Sequence, residues 1–222
     1  MIFGAQYAWN PAGDTAEDDL LERVSRVEYG DCSARFVALL RSASAQAVFT
    51  WRELVEYLEL DDGTGNCNTD VAQTIPCLTD RLANPGNAMT VREARNRMMR
   101  NMATTIERIP QANRALQQCM VDIAPIAAHM GNPGITAAVR IAMEGQLLLN
   151  RVGFALAEAH DVRDAHDAGD WRPSDYRALA RELECWCEAY AKEWNATSQP
   201  SELHRIQETV WKAADELRRI SK

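Results

Sequence analysis

Residues 135–159, which begin Ile-Thr-Ala-Ala-Val, form a long and strongly apolar stretch, and no other segment constrains the fold of this chain so tightly. A helix that is apolar around most of its circumference has to be covered on several sides, so this one is expected at the centre of a bundle. The break before it, Met-Gly-Asn-Pro-Gly at 130–134, combines two glycines with a proline and ends whatever helix precedes it.

Partners for such a helix recur along the chain. Leu20, Leu21, Val24 and Val27 follow helical spacing, with Asp14 as the expected N-cap, acidic residues in the first turn and Gly30 as the stop. A second helix is expected over roughly 32–46, with Phe36, Leu39 and Leu40 on one face. Thr50 followed by Glu53 is a capping box, and Leu54, Val55 and Leu58 give the inward face of a third helix that ends at Asp61-Asp62-Gly63. The same signature at Thr90 and Glu93 opens a basic helix carrying Met98, Met99, Met102 and Ile106. Pro110 starts or kinks another helix, whose apolar positions are 116, 120, 123, 126 and 127. Two more are expected at about 174–195 and 201–219, with Ser174 and Ser201 as N-caps and Pro200 just before the second. Between the third and fourth helices the Gly-, Asn-, Asp- and Thr-rich stretch from Asp61 reads as a loop.

Strand-like alternation is confined to residues 2–9. The expected architecture is therefore an all-α bundle of about six to eight helices. It comprises a helical domain over 14–222 and a short extended segment over 1–13. No repeat of solenoid length is present.

Charge and cysteine spacing narrow the function classes. Acidic residues outnumber basic ones, 32 against 24, and no basic run is dense enough to follow a phosphate backbone, so nucleic acid is not an expected partner. No run of about 18 apolar residues and no signal-peptide pattern occurs, so no membrane span is expected and the chain as given reads as cytoplasmic. The six cysteines, at 32, 67, 77, 119, 185 and 187, lack the paired spacing of a structural zinc site, and no cofactor is expected. Cys32 and Cys119 read as small buried hydrophobes on helices. Cys67 and Cys77 could bridge in an oxidising compartment. Cys185 and Cys187 lie two apart on a helix and should point in different directions.

Three groups carry possible chemistry. Asp18, Asp19 and Glu22 have the spacing of a magnesium box, although acidic residues in a first helical turn are favoured by the dipole alone. His160-Asp161-Val162-Arg163-Asp164-Ala165-His166-Asp167 gathers imidazoles and carboxylates, but the two histidines fall on different helical faces and the segment reads as a solvated connector. His129 and His204 show no obvious partner. Among the tryptophans, Trp186, Trp194 and Trp211 share helical spacing with Leu183, Tyr190 and Leu203 and are expected in the core.

Trp9 stands apart, at the end of the run Phe3-Gly4-Ala5-Gln6-Tyr7-Ala8-Trp9-Asn10-Pro11. This run resembles the segment that closes the catalytic barrel in β-N-acetylglucosaminidase and hexosaminidase-type glycoside hydrolases, where it leads to an acidic helix ending in an aromatic-Gly pair, here Tyr29-Gly30. The far end, from Leu183 to Trp194 through Gln199-Pro200-Ser201-Glu202-Leu203 to Arg218, resembles the helical region after that barrel. Other barrel glycosidases, α-glucuronidases among them, place a similar run before a helical tail, and both remain open at this point. The resemblance implies a helical accessory region of a carbohydrate-active enzyme, with Tyr7, Trp9 and Asn10 as sugar-contact candidates. It implies docking on a catalytic barrel, or self-association through the N-terminal segment. It also implies an acidic catalytic pair on upstream barrel strands, which these residues do not contain, so the chain is expected not to be catalytic alone. A free-standing helical interaction protein that serves a partner through its acidic surface and the Met-rich helix 90–108 is the alternative.

Overall fold

The computed structural model describes residues 17–60, 91–130, 133–161, 175–197 and 203–221. The described residues fold into α-helices without a strand: α1 (Glu17–Glu28), α2 (Phe36–Ser44), α3 (Trp51–Glu59), α4 (Val91–Asn101), the single turn α5 (Ala103–Ile106), α6 (Ile109–His129), α7 (Pro133–Ala159), α8 (Tyr176–Thr197) and α9 (Leu203–Ile220). The all-α architecture expected from the spacing is the one observed. The extended segment 1–13, with Tyr7, Trp9 and Asn10, lies outside the described residues. So do the loop after Leu60 with Cys67 and Cys77, and the expected caps Asp14, Thr90, Ser174 and Ser201.

The chain divides into two compact units. One comprises residues up to Ala47 together with Asn113–Met143, and the other Val48–Ala112 together with Glu144–Lys222. In the first unit α1 packs on α2 through a polar turn that the sequence spells out. Gly30 adopts a left-handed φ of 64°, which ends α1 at no steric cost. Asp31, buried just after it, accepts hydrogen bonds from the backbone N–H groups of Ser33 (2.8 Å), Arg35 (2.7 Å) and Phe36 (2.8 Å) and from the Ser33 hydroxyl (2.6 Å). One carboxylate thus satisfies the donors that open α2. Burial raises the Asp31 pKa, but these hydrogen bonds outweigh it and the net shift is downward. Ser25, on α1, donates to the Leu21 carbonyl and accepts from the Val37 N–H (3.0 Å), joining the two helices without an exposed polar gap.

This turn corrects two expectations. The second helix starts at Phe36 rather than near 32, because residues 31–35 are used in the Asp31 cap. Cys32 consequently stands in the turn and is exposed, whereas Cys119 is buried as expected.

The second unit holds a large apolar core, and α7 runs through it from Glu144 onward. Val152, Phe154, Ala155, Leu156 and Ala157 are buried on successive positions around its circumference, as the apolar run requires. The close approach of Phe49 to α7 depends on Gly153, since a Cβ there would overlap the Phe49 ring and its Cβ. Gly145 plays the same part for the Trp186 indole. The segment before α3 is held by a side chain from α7: Asn150, fully buried, accepts from the N–H groups of Val48 and Phe49, both at 3.1 Å. Gln146 donates to the Phe49 carbonyl at 2.9 Å. The capping box at α3 forms as expected, with Thr50 accepting from the Arg52 N–H (3.2 Å) and Glu53 accepting from the Thr50 N–H (2.8 Å).

Helices α8 and α9 form the most extensively packed pair, and α9 also packs on α3. The N-cap of α8 is Asp175 rather than the expected Ser174, since Asp175 accepts from the N–H groups of Arg177 (2.9 Å) and Ala178 (3.1 Å). Trp186, Tyr190 and Trp194 climb α8 one turn apart with ring centroids 5.2 and 5.7 Å apart, so part of each ring faces its neighbour rather than the core. Trp211 departs from the core expectation and is 54% exposed. Cys185 is exposed and Cys187 buried, as their helical offset predicts.

The Met-rich segment is likewise not the surface that the interaction reading requires. Met98 and Met99 are buried, and Met102 packs against the core. The continuous helix expected over 90–108 is also broken at Met102, where α4 gives way to α5.

Candidate functional site

The polar centre of the second unit is assembled from four helices and was not visible as a motif. Tyr57 comes from α3, Arg95 and Asn96 from α4, His160 from the last turn after α7, and Glu216 and Arg219 from α9. Tyr57, Arg95 and Glu216 are buried, while Asn96 and His160 are half-buried.

Glu216 is the hub. Its Oε1 accepts from Arg95 Nη1 at 2.7 Å, from Arg219 Nη2 at 2.7 Å and from the Tyr57 hydroxyl at 3.1 Å. Its Oε2 accepts from Arg219 Nε at 2.7 Å. The Arg219 contact is a two-point fork, the geometry in which guanidinium and carboxylate match best. The Arg95 guanidinium also lies 4.3 Å from the Tyr57 ring centroid, a cation–π contact. His160 closes the network from the other side: Nε2 lies 2.8 Å from the Tyr57 hydroxyl, and Nδ1 pairs with Asn96 Oδ1. The Tyr57 and His160 rings meet edge to face at 5.7 Å.

These contacts dictate the charge state. Burial raises the Glu216 pKa, but the Arg219 hydrogen bonds and the Arg95 and Arg219 charges prevail and the carboxyl is held below its ordinary value. Burial lowers the His160 pKa, and the Arg95 charge lowers it further, against the opposing pull of Glu216, so the imidazole is neutral at pH 7. Burial pushes the Tyr57 phenol well above its usual range, with the Arg95 charge opposing. With Asn96 Oδ1 facing Nδ1, the neutral imidazole carries its proton on Nδ1. Nε2 then accepts from the Tyr57 hydroxyl, which has one proton for two acceptors, His160 Nε2 and Glu216 Oε1. The raised phenol and lowered imidazole pKa values keep the shared proton on Tyr57, and the arrangement binds α3, α4, α7 and α9 at one point.

His160 is therefore not part of a solvated connector, because its ring is drawn back against Tyr57 and Asn96. Asp161, with φ of 53°, ends the described part of that segment, and residues 162–167, including His166, lie outside it. Of the magnesium-box residues, Asp19 and Glu22 are exposed on α1, and the Asp18 side chain is outside the described set. Among the described residues no group of three or more His, Cys, Asp or Glu side chains comes together in a form that holds a metal ion. No helix among them is long and apolar enough to cross a membrane. His129 does have a partner, the Pro125 carbonyl at 2.6 Å from Nδ1.

The signal that finds this centre in the sequence is a charge inside an apolar stripe. Arg95 sits between Ala94, Met98 and Met99, and Glu216 sits beside Ala213, Ala214 and Leu217. Two opposite charges on inward faces of different helices call for one another, because neither is tolerated alone.

Compared with known protein families, with curated proteins and with solved structures, the chain matches none. The fold and site define it as an all-α protein with an internally paired polar centre.

Proposed function

We propose that the chain is a helical accessory region of a carbohydrate-active glycoside hydrolase of the β-N-acetylglucosaminide type, serving a catalytic barrel rather than acting as the catalyst itself. The observation that carries this reading is the order of elements at its two ends. The Tyr7-Ala8-Trp9-Asn10-Pro11 run is followed by an acidic helix, α1, that stops at Tyr29-Gly30. At the far end the aromatic helix α8 precedes a final helix, α9. The polar centre supports a scaffold role, since Tyr57 and Arg95, from two different helices, both direct hydrogen bonds at the buried Glu216 of a third. The alternative, an interaction protein that uses its acidic surface and the Met-rich helix, is weakened at the methionines, because Met98 and Met99 are buried.

The test is to read the source DNA upstream of codon 1. An uninterrupted reading frame that encodes a barrel with adjacent acidic residues at a strand end is the expected result. An in-frame stop codon followed by a ribosome-binding site overturns the proposal.

A further inference from the structure

At the C-terminal end of α9, four arginines line one cavity of about 520 Å³: Arg177 and Arg181 from α8, and Arg218 and Arg219 from α9, with Asp215 as the acidic member. The volume lies in the range of small-molecule sites, roughly 300–1,000 Å³.

The helix dipole accounts for half of the cluster. Arg218 and Arg219 fall in the last turn of α9, where cations are favoured. Arg177 is in the first turn of α8, where the dipole disfavours a cation, and Arg181 follows one turn later on the same face. Asp175, Glu184, Asp215 and Glu216 lie against three of the four guanidinium groups, so the pairing of each arginine decides which of them is left to meet a ligand.

The side chains are also held in place. Arg219 is fixed by its fork to the buried Glu216. Arg218 is fixed by Glu184 (2.6 Å) and Asp215 (3.1 Å). Arg177 donates from Nε to the Ser221 hydroxyl at 3.2 Å, and Ser221 in turn donates to the Arg218 carbonyl at 2.7 Å. Among the described residues no carboxylate pairs with Arg177, and the carboxylate partner of Arg181, Asp175, stands 4.0 Å away. The α9 pair is thus already neutralised and rigid, while the α8 pair keeps donors for a ligand.

We propose that this cavity binds a phosphate monoester. Arg177 and Arg181 grip the dianionic phosphate, Arg218 and Arg219, held by their carboxylates, form a fixed wall beside it, and the organic part fills the remaining volume. Forked guanidinium donors suit phosphate oxygens, which accept several charge-assisted hydrogen bonds at once.

Isothermal titration calorimetry of the full chain with phenyl phosphate and with inorganic phosphate, at constant ionic strength set by sodium chloride, tests this. Saturable heat with phenyl phosphate is expected, and binding weakens by about tenfold or more for each of Arg177→Gln and Arg181→Gln. Equal binding of inorganic phosphate supports the site with recognition confined to the phosphate group; weaker binding supports a contribution from the organic part. Unchanged circular dichroism certifies each variant. Should Arg177→Gln fail to fold, the highly exposed Arg181→Gln alone carries the comparison. The proposal is overturned by no saturable heat from either compound, or by heat that the substitutions leave unchanged.

Discussion

Replacing Glu216 by Gln keeps the shape of the hub and removes its charge, which makes it the sharpest probe of how the second unit is held together. Glu216 neutralises Arg95, whose side chain is only 4% exposed, and it accepts the Tyr57 hydroxyl as well. Breaking a buried ion pair by removing one partner costs about 3–5 kcal/mol, because the remaining charge is left in a poor solvent. Arg219 adds little to that figure, since its side chain is 61% exposed and water replaces its carboxylate. For a chain of this size the loss corresponds to a fall in Tm of about 6–20 °C, at about 2–4 °C per kcal/mol. Urea denaturation, followed by tryptophan fluorescence and far-UV circular dichroism, gives the free energy. Arg95→Met is expected to cost less than Glu216→Gln, since Arg219 stays on the carboxylate. The double variant Arg95→Met/Glu216→Gln should cost at least about 2 kcal/mol less than the sum of the two. A loss below about 1 kcal/mol for Glu216→Gln, or strict additivity in the cycle, refutes the argument that the network is a cooperative clamp.

Other perturbations read other parts of the molecule. Asn150→Ala leaves the Val48 and Phe49 N–H groups without their buried acceptor and should destabilise by about 2–4 kcal/mol, measured by urea midpoint. A loss under about 1 kcal/mol would mean that the 48–49 segment finds other partners. Asp31→Ala removes the acceptor for three backbone donors at the start of α2 and should cost about 2 kcal/mol. It should also speed amide exchange over residues 33–37 in hydrogen-exchange mass spectrometry, and unchanged exchange there would contradict the capping role. Stability should depend on pH through His160 and Glu216, both with lowered folded pKa values. In each case the unfolded chain binds the proton more readily, so the His160 contribution is present above about pH 6.5 and falls away below it, and the Glu216 contribution falls away below about pH 4.5. The groups facing His160 are Tyr57 from α3, Asn96, Arg92 and Arg95 from α4, and Glu216 and Arg219 from α9. His160→Phe should flatten the slope near pH 6 in a series of urea melts, and an unchanged slope would show that another group titrates there.

Periodicity and caps were enough to locate the helices. The apolar run 135–159 falls within α7, the Thr50–Glu53 box opens α3, and Gly30 ends α1, because each rests on contacts within a few residues of chain. The same locality explains where the reading stopped. Cys32 shows a different limit: the Asp31 cap on Ser33, Arg35 and Phe36 is itself local, but the helical spacing of the apolar residues over 32–46 masks it. Trp211 has the spacing of a core residue, yet only the packing of α9 decides which part of its circumference is covered. His160 lies in a charged stretch that looks solvated, and its ring is claimed by Tyr57, 103 residues earlier in the chain. Arg95 and Glu216 are 121 residues apart. Helix formation is governed by neighbours in sequence, so the sequence alone determined that the described residues are helical and where most of their helices end. A buried charge is governed by whichever opposite charge arrives beside it, and only the tertiary structure could place Glu216 against Arg95 and Tyr57.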